Sequence, residues 1–405
     1  MDLQKKLVLP CGAKIENRIA KSAMSENMSP KHHGPTKPII RLYDRWTKGG
    51  PGLIITGNIM IDRKAIAEPG NVLVEDNSNF KLLQDWANVV KNTGVHLWPQ
   101  INHPGRQAFG AINKKVVAPS AIKTKIKGLS SLFKEPKALT ELEIFDIIER
   151  FGNTAKILKD AGFTGIQIHA AHGYLISQFL SPLTNQRKDQ WGGSLDNRAK
   201  FVFEVYRNIR KKVGVNFPVG IKINSADFQR GGFSEEESME VVQQLDALGV
   251  DLIEISGGTY EQPAMTGTAV RKSTKEREAY FLDYVKKVRK FLETPLMLTG
   301  GFRTVSTMEN AIASGALDMV GMARPFTLYP NLAKQIFSGA LDFVDIPNPK
   351  VGIKMLDKAG FVDLKCHEIH IHRLGKGENP NPNLKAYPVI GHNLSIILQK
   401  LIFGR

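Results

Sequence analysis

Two imidazoles and a phenol lie close together in Gln167-Ile168-His169-Ala170-Ala171-His172-Gly173-Tyr174. An H-x-x-H pair that leaves an apolar run and enters a glycine turn can set its rings side by side. Each ring can then donate one hydrogen bond to the same carbonyl or phenolate oxygen. Tyr174 would share that pocket, and a phenol with an ordinary pKa of about 10 is a proton donor at neutral pH when a reacting carbon lies within reach. The plainer readings are two core histidines with satisfied nitrogens, or a fragment of a metal site, although zinc needs a third and fourth ligand that this motif does not supply. Where the segment sits in the fold decides between them.

Short apolar runs bounded by turn residues predict eight strands: Ile19–Met24, Leu53–Ile59, Val95–Ile101, Gly165–His169, Val219–Ile223, Leu252–Ile255, Leu296–Thr299 and Met319–Met322. Helical patterns separate most of them. Three helices carry a Ser or Thr followed three residues on by Glu, a pair that can satisfy each other's free backbone N–H groups: Thr140–Glu143, Ser234–Glu237 and Ser306–Glu309. Gly162, Gly249 and Gly315 stand where helices would stop. Continuously apolar strands with a helix between each pair imply a parallel sheet buried on both faces. Eight such repeats imply an α/β fold, a (β/α)8 TIM barrel. An open doubly wound sheet is the alternative, but no G-x-G-x-x-G follows the first strand and no Walker-type loop occurs. In a barrel the chemistry sits at the C-terminal ends of the strands, where the His169–Tyr174 segment leaves strand four. That position favours a chemical role.

The barrel accounts for residues 1–340, and residues 341–405 form a C-terminal extension, read as a Pro/Asn-rich tail ending in the apolar stretch Leu394–Phe403. A second departure from the repeat is Ala111–Lys137, with seven lysines and one glutamate. It follows strand three, so it is expected on the active face as a lid. A charged fraction of 23% with 42% hydrophobic residues excludes a disordered or fibrous chain. Two cysteines, Cys11 and Cys366, exclude a disulfide scaffold, a Cys-rich zinc site and an iron–sulfur cluster, and fit a reducing cytoplasm. No run approaches a membrane span, and Leu7-Val8-Leu9 is too short for the apolar centre of a signal peptide.

Longer motifs are more specific. Ile168-His169-Ala170-Ala171-His172-Gly173-Tyr174-Leu175-Ile176 is followed by Phe179-Leu180-Ser181-Pro182-Leu183-Thr184-Asn185 and by Trp191-Gly192-Gly193-Ser194-Leu195-Asp196-Asn197-Arg198. With Asn17-Arg18-Ile19-Ala20-Lys21-Ser22-Ala23-Met24-Ser25 and Leu53-Ile54-Ile55-Thr56-Gly57, this string resembles the Old Yellow Enzyme family, flavin-dependent ene-reductases built as FMN-binding (β/α)8 barrels. The match runs from Leu9 to about Pro330. The resemblance implies that His169 and His172 hold a substrate carbonyl oxygen and that Tyr174 delivers a proton. It implies that Gln100 bonds the flavin pyrimidine and that Ala23, Met24, Ser25 and Gly57 line the flavin. Gly300 and Gly301 after strand seven, with Ala323 and Arg324 after strand eight, match the family's phosphate cradle, where barrel physics also expects a phosphate. The implied activity is hydride transfer from NAD(P)H through FMN to the β-carbon of an activated alkene, such as an α,β-unsaturated carbonyl compound.

Three positions depart from the family pattern. Lys222 stands where arginine is usual beside the flavin N1 and O2 atoms. A positive charge is kept, so stabilisation of the anionic reduced flavin is expected to survive while the bidentate fork is lost. Ser25 replaces Thr or Cys, and Ala323 replaces a common glycine. The expected partner is a small activated alkene, with no integral membrane association; a homo-oligomer stays open. A net charge of +16 and the lysine-rich excursion would also suit an RNA-modifying flavin barrel resembling dihydrouridine synthase. That chemistry needs a cysteine acid at the barrel mouth, and Cys11 precedes strand one while Cys366 lies in the tail. A metal site in Cys366-His367-Glu368-Ile369-His370-Ile371-His372 is a further alternative, with His370 and His372 on one face of an extended strand. A branch that reduces dienoyl thioesters usually adds an iron–sulfur motif and a dinucleotide domain, and neither occurs in this sequence.

Overall fold

Eight parallel strands close into a barrel in a computed structural model that describes residues 1–126, 130–262, 278–347, 349–350 and 361–384. They are β1 (Ile19–Lys21), β2 (Leu53–Met60), β3 (His96–Asn102), β4 (Ile166–Ala170), β5 (Val219–Asn224), β6 (Leu252–Ser256), β7 (Leu296–Thr299) and β8 (Met319–Met322). Each pairs with the next, and β8 pairs with β1 through Val320↔Ile19, Gly321↔Ala20 and Met322↔Lys21, which closes the ring. All eight expected strands are present. β1 ends at Lys21, short of Met24, which frees Ala23, Met24 and Ser25 to leave the sheet at its C-terminal end.

The strands are apolar throughout because both faces are covered. Residues such as Ile54, Leu97, Ile168, Ile221 and Ile253 point outward into the helical shell, while Ala20, Leu53, Ile55, Trp98, Leu252 and Met297 fill the barrel's closed end. An N-terminal hairpin, Leu7–Val8 paired with Lys14–Ile15, seats Leu7, Leu9 and Ile15 against that inner cluster. Trp98 is the largest side chain in it, and glycines make its room. A Cβ on Gly165 would come within 2.4 Å of the Trp98 ring, and one on Gly220 within 2.9 Å.

The shell comprises α1 (Lys37–Lys48), α2 (Phe80–Ala87), α3 (Glu141–Asp160), a short α4 (Leu175–Leu180), α5 (Leu195–Val213), α6 (Glu235–Ala247), α7 (Leu282–Val288), α8 (Val305–Ala313), α9 (Pro325–Leu328), α10 (Leu332–Phe337) and α11 (Phe361–Lys376). Full capping boxes open α3 at Thr140–Glu143 and α6 at Ser234–Glu237. The third expected box does not form. Thr304 caps α8 by accepting from Thr307 N–H, and Glu309 instead accepts from the N–H of Asp2 at 2.7 Å, tying the chain's start to the barrel. A long-range partner thus outcompetes a local one.

The extension is also different from the expected tail. Phe361–Lys376 is a helix packed on α1 and α9, with Arg41 donating to Gly375 O at 3.2 Å and Thr327 Oγ1 2.6 Å from His367 Nδ1. Its buried stripe is Val362, Cys366, His367, His370, Ile371 and Leu374. The two histidines in that stripe hide the helical period from a hydrophobicity reading. Leu394–Phe403 lies outside the described residues. The lysine-rich excursion does lie on the active face. Lys125 N–H donates to Glu261 in the loop after β6 at 2.6 Å, and Val117–Ala118 pairs with Lys137–Ala138. Among the described residues no helix is long and apolar enough to cross a membrane.

Gly165→Ala is expected to force a methyl group against the Trp98 indole and destabilise the barrel by roughly 1–3 kcal/mol. Urea titration of the purified variant should show a lowered midpoint with an unchanged slope; an unchanged midpoint would mean that the closed end is not tightly packed.

Candidate active site

β4 delivers His169 in its last turn of sheet, and the chain then bends sharply at His172 (φ 60°) and Gly173 (φ 78°). A left-handed histidine is strained and has to be held from outside. Three groups hold it: His172 N–H donates to Asn224 Oδ1 at 3.2 Å, Gln107 Nε2 donates to His172 O at 3.1 Å, and His172 bridges Thr259 across from the β6 loop. Asn224 is itself fixed, donating to Asp227 and to Gly258 O. The result is the side-by-side pair expected from the sequence, ring centroids 5.1 Å apart and nearly perpendicular, with Tyr174 4.8 Å from His169.

Protonation states follow from burial. Desolvation first, then the nearby Lys222 charge, hold His169 and His172 well below the ordinary histidine range, so both are neutral at pH 7. His169 Nδ1 accepts from Ala171 N–H at 3.2 Å, which puts the ring proton on Nε2. His172 Nε2 lies 2.8 Å from Ser256 Oγ, and with the serine donating, its proton moves to Nδ1. Each imidazole then has one N–H for a ligand. Tyr174 Oη accepts from Asn58 Nδ2 at 3.1 Å and lies 2.6 Å from Tyr260 Oη. Burial, followed by the Glu68 carboxylate, pushes the Tyr174 phenol above its ordinary range, so it stays protonated.

Below this group a row of polar side chains crosses the barrel. Gln100 Nε2 donates to Gln167 Oε1 at 2.7 Å, Gln167 Nε2 donates to Glu254 Oε2 at 2.6 Å, and Glu254 Oε1 lies 2.9 Å from Lys222 Nζ. Lys222 and Glu254 are direct neighbours in the β5–β6 register. A fully buried carboxylate thus stands beside the Lys222 charge. Sequence reading missed Glu254, although two adjacent apolar strands each carry one charge, of opposite sign, Lys222 as the fourth residue of β5 and Glu254 as the third of β6. It also missed Asn58 and Tyr260, which carry no local signal of their own.

The remaining expected residues rim the same end. Ser25 Oγ donates to Glu68 at 2.5 Å, and Gly57 N–H donates to Glu26 at 2.8 Å, where a Cβ would collide with Glu26 and Met24 O. Ala23 packs against the inner cluster. Gly300 and Gly301 (φ 130° and 91°) lead to the start of α8, where Arg303 and Thr304 N–H both donate to the Glu278 carboxylate at 2.7 and 3.1 Å. Arg324, after Ala323, pairs with Asp363 of α11 at 2.7 Å. Cys11 lies at the opposite end, its N–H bonded to Asp251 just before β6, and Cys366 is buried in α11, so neither cysteine is a barrel-mouth acid. The metal reading fails on geometry. On a helix His370 and His372 point roughly 200° apart, and His372 Nε2 meets Glu26 O at 2.9 Å. No cluster of metal-ligating residues occurs among the described residues.

Over residues 11–342 the chain matches the NADH:flavin oxidoreductase / NADH oxidase family. It is 38% identical over 355 residues to the NADH-dependent flavin oxidoreductase iliE of Hypocrea jecorina (strain QM6a), covering 82% of this chain and 87% of that one. Among solved structures, a 2-naphthoyl-CoA reductase in complex with 2-naphthoyl-CoA superposes with a TM-score of 0.78 at 26% identity, over 85% of this chain and 53% of that one. Morphinone reductase shares the fold at a TM-score of 0.69 and 23% identity, over 84% of this chain and 90% of its own. The residues present suit FMN at two places. Paired backbone N–H groups already hold an anion, the Glu278 carboxylate, beside Gly301 and the start of α8, and the buried amide row ends at Gln100.

Burial depresses His103 and His370 from 6.5 to about 4, and His169, His172 and His367 in the same direction. Below pH 6.5 the unfolded chain therefore binds protons that the folded chain refuses, so stability falls as pH drops from 6.5 toward 4. Glu68 and Asp227, raised by burial, oppose the trend in part. Thermal melts between pH 8 and 4 should show this decline, and a flat profile would contradict the neutral histidines.

Proposed function

The chain belongs to the NADH:flavin oxidoreductase / NADH oxidase family, with FMN as its cofactor and NAD(P)H as its reductant, and from that premise we propose that it reduces activated alkenes. The observation that carries this reading is the convergence of two neutral imidazoles and a protonated phenol at one strand end. FMN, when bound, would supply the hydride chemistry that links NAD(P)H to the β-carbon of an α,β-unsaturated carbonyl compound.

The protein's part is orientation and proton handling. His169 Nε2–H and the N–H of His172 bind the carbonyl oxygen and stabilise the enolate that develops as the β-carbon is reduced. Neutral donors suit this task, since they polarise the carbonyl without surrendering a proton to the enolate oxygen. Tyr174 then protonates the α-carbon. Its environment is arranged for that step: with Tyr260 donating, both lone pairs of Tyr174 Oη are occupied, by Tyr260 O–H and Asn58 N–H, and the Tyr174 proton is free to leave the pair. The same two donors stabilise the phenolate left behind. Tyr260 is placed to return a proton. Gln100, Lys222, Ala23, Met24, Ser25 and Gly57 are proposed to hold the flavin ring, and Gly300, Gly301, Ala323 and Arg324 its phosphate.

Rapid-mixing measurements separate reduction of the enzyme by NAD(P)H from its reoxidation by an alkene such as cyclohexenone. Tyr174→Phe should slow reoxidation by about 10²–10⁴-fold and leave reduction intact; loss confined to the reductive half would contradict the donor role. For Tyr260→Phe, removal of one hydrogen bond to a developing charge should slow reoxidation by roughly 10- to 100-fold. His172→Ala should weaken binding of phenolic ligands, and unchanged affinity would count against the paired-imidazole site.

A further inference from the structure

The row Gln100–Gln167–Glu254–Lys222 contains a carboxylate that the alkene chemistry does not use. Glu254 has no solvent exposure and Lys222 is 3% exposed, so neither charge can be answered by water. Their pairing at 2.9 Å is an ion contact in which Glu254 Oε1 gains no well-directed hydrogen bond, whereas Oε2 accepts one from Gln167 at 2.6 Å. The other buried cation near this layer, Lys21, feels the Glu26 carboxylate only at longer range, donates to Ile55 O at 3.1 Å, and lies over the Trp46 ring at 4.3 Å. His169 and His172 are neutral. Within this layer Glu254 is the carboxylate in direct contact with Lys222.

An ionised carboxylate can only accept. Gln167 must therefore turn its NH2 toward Glu254 and its carbonyl toward Gln100, and Gln100 must turn its own NH2 toward Gln167. That chain of amide orientations leaves Gln100 Oε1 as the free acceptor at the end of the row, the group that a ring N–H would meet.

We infer that Glu254 is a positioning residue that tunes the reduction potential of the bound flavin: its carboxylate offsets part of the Lys222 charge offered to the pyrimidine end of the ring and fixes the Gln100 amide as an acceptor. This rests on the proposed placement of Lys222 and Gln100 beside FMN. A site with an unanswered cation would favour the anionic reduced ring; one with a matched pair favours it less and leaves the reduced cofactor a stronger hydride donor.

The test uses the FMN-loaded enzyme and two readouts besides turnover, the midpoint potential and the affinity for sulfite, which binds oxidised flavin and places a negative charge on the ring. Glu254→Gln should raise the potential and lower the sulfite Kd by about tenfold, the size of effect that one nearby charge has on a titration. Lys222→Gln should move both in the opposite direction, and the double variant should fall between them. A Lys222→Gln shift with no Glu254→Gln shift would overturn the inference and leave the placement standing. No shift in either variant would remove the placement and the inference together. Should Glu254→Gln fail to retain FMN, the comparison of the double variant with Lys222→Gln decides: equal sulfite affinity overturns the proposal, and tighter binding in the double variant supports it.

Discussion

The pairing of Glu254 with Lys222 constrains everything above it, because a charge inside a β-barrel has no access to water and must be neutralised by another side chain. Once the two are paired, the acceptor-only carboxylate orders Gln167, and Gln167 orders Gln100. The lysine charge also acts upward. It is the second cause, after burial, that keeps His169 and His172 neutral. One buried ion pair therefore connects the amide that faces the proposed cofactor with the imidazoles that face the proposed substrate.

The active face gains its precision from groups that brace His172 and Tyr174 from outside. His172 sits in a left-handed conformation that would cost free energy in isolation, and Asn224, Gln107 and Thr259 over-determine it. Tyr174 is held by Asn58 from β2 and Tyr260 from the β6 loop. These partners come from the ends of four strands, β2, β3, β5 and β6. The barrel brings them within hydrogen-bond range because parallel strands in register all finish on one side, and loops of different length then lean over a common centre.

Two additions to the eightfold repeat also converge on this face. The lysine-rich excursion is fastened through Glu261, which accepts from Lys125 N–H and pairs with Arg106 at 2.6 Å, joining the loops after β3 and β6. On the other side α11 presents Asp363 to Arg324 and Glu368 to Asn27. The guanidinium expected at a phosphate is thereby partly balanced before any phosphate arrives, and the basic composition of the chain overstates the positive charge available at the site.

Local chemistry made much of the fold and several site residues legible. The eight strands, two of the three capping boxes and the His169, His172 and Tyr174 constellation could be read because each depends on neighbours along the chain: apolar runs, a Glu three residues from a Ser or Thr, an H-x-x-H before a glycine turn. Ser306–Glu309 shows the limit of that reading, since Glu309 finds Asp2 instead. So does α11, whose buried His367 meets Thr327 while His370 accepts from Asn381 N–H, two polar residues that erase the apolar period. Charge compensation of Lys222 and the support of Tyr174 by Asn58 and Tyr260 were decided only by the tertiary structure. Their partners are 32, 116 and 86 residues away respectively. Spacing predicts which groups a segment offers, but only barrel closure fixes which of them meet, and at what distance, in a place water cannot reach.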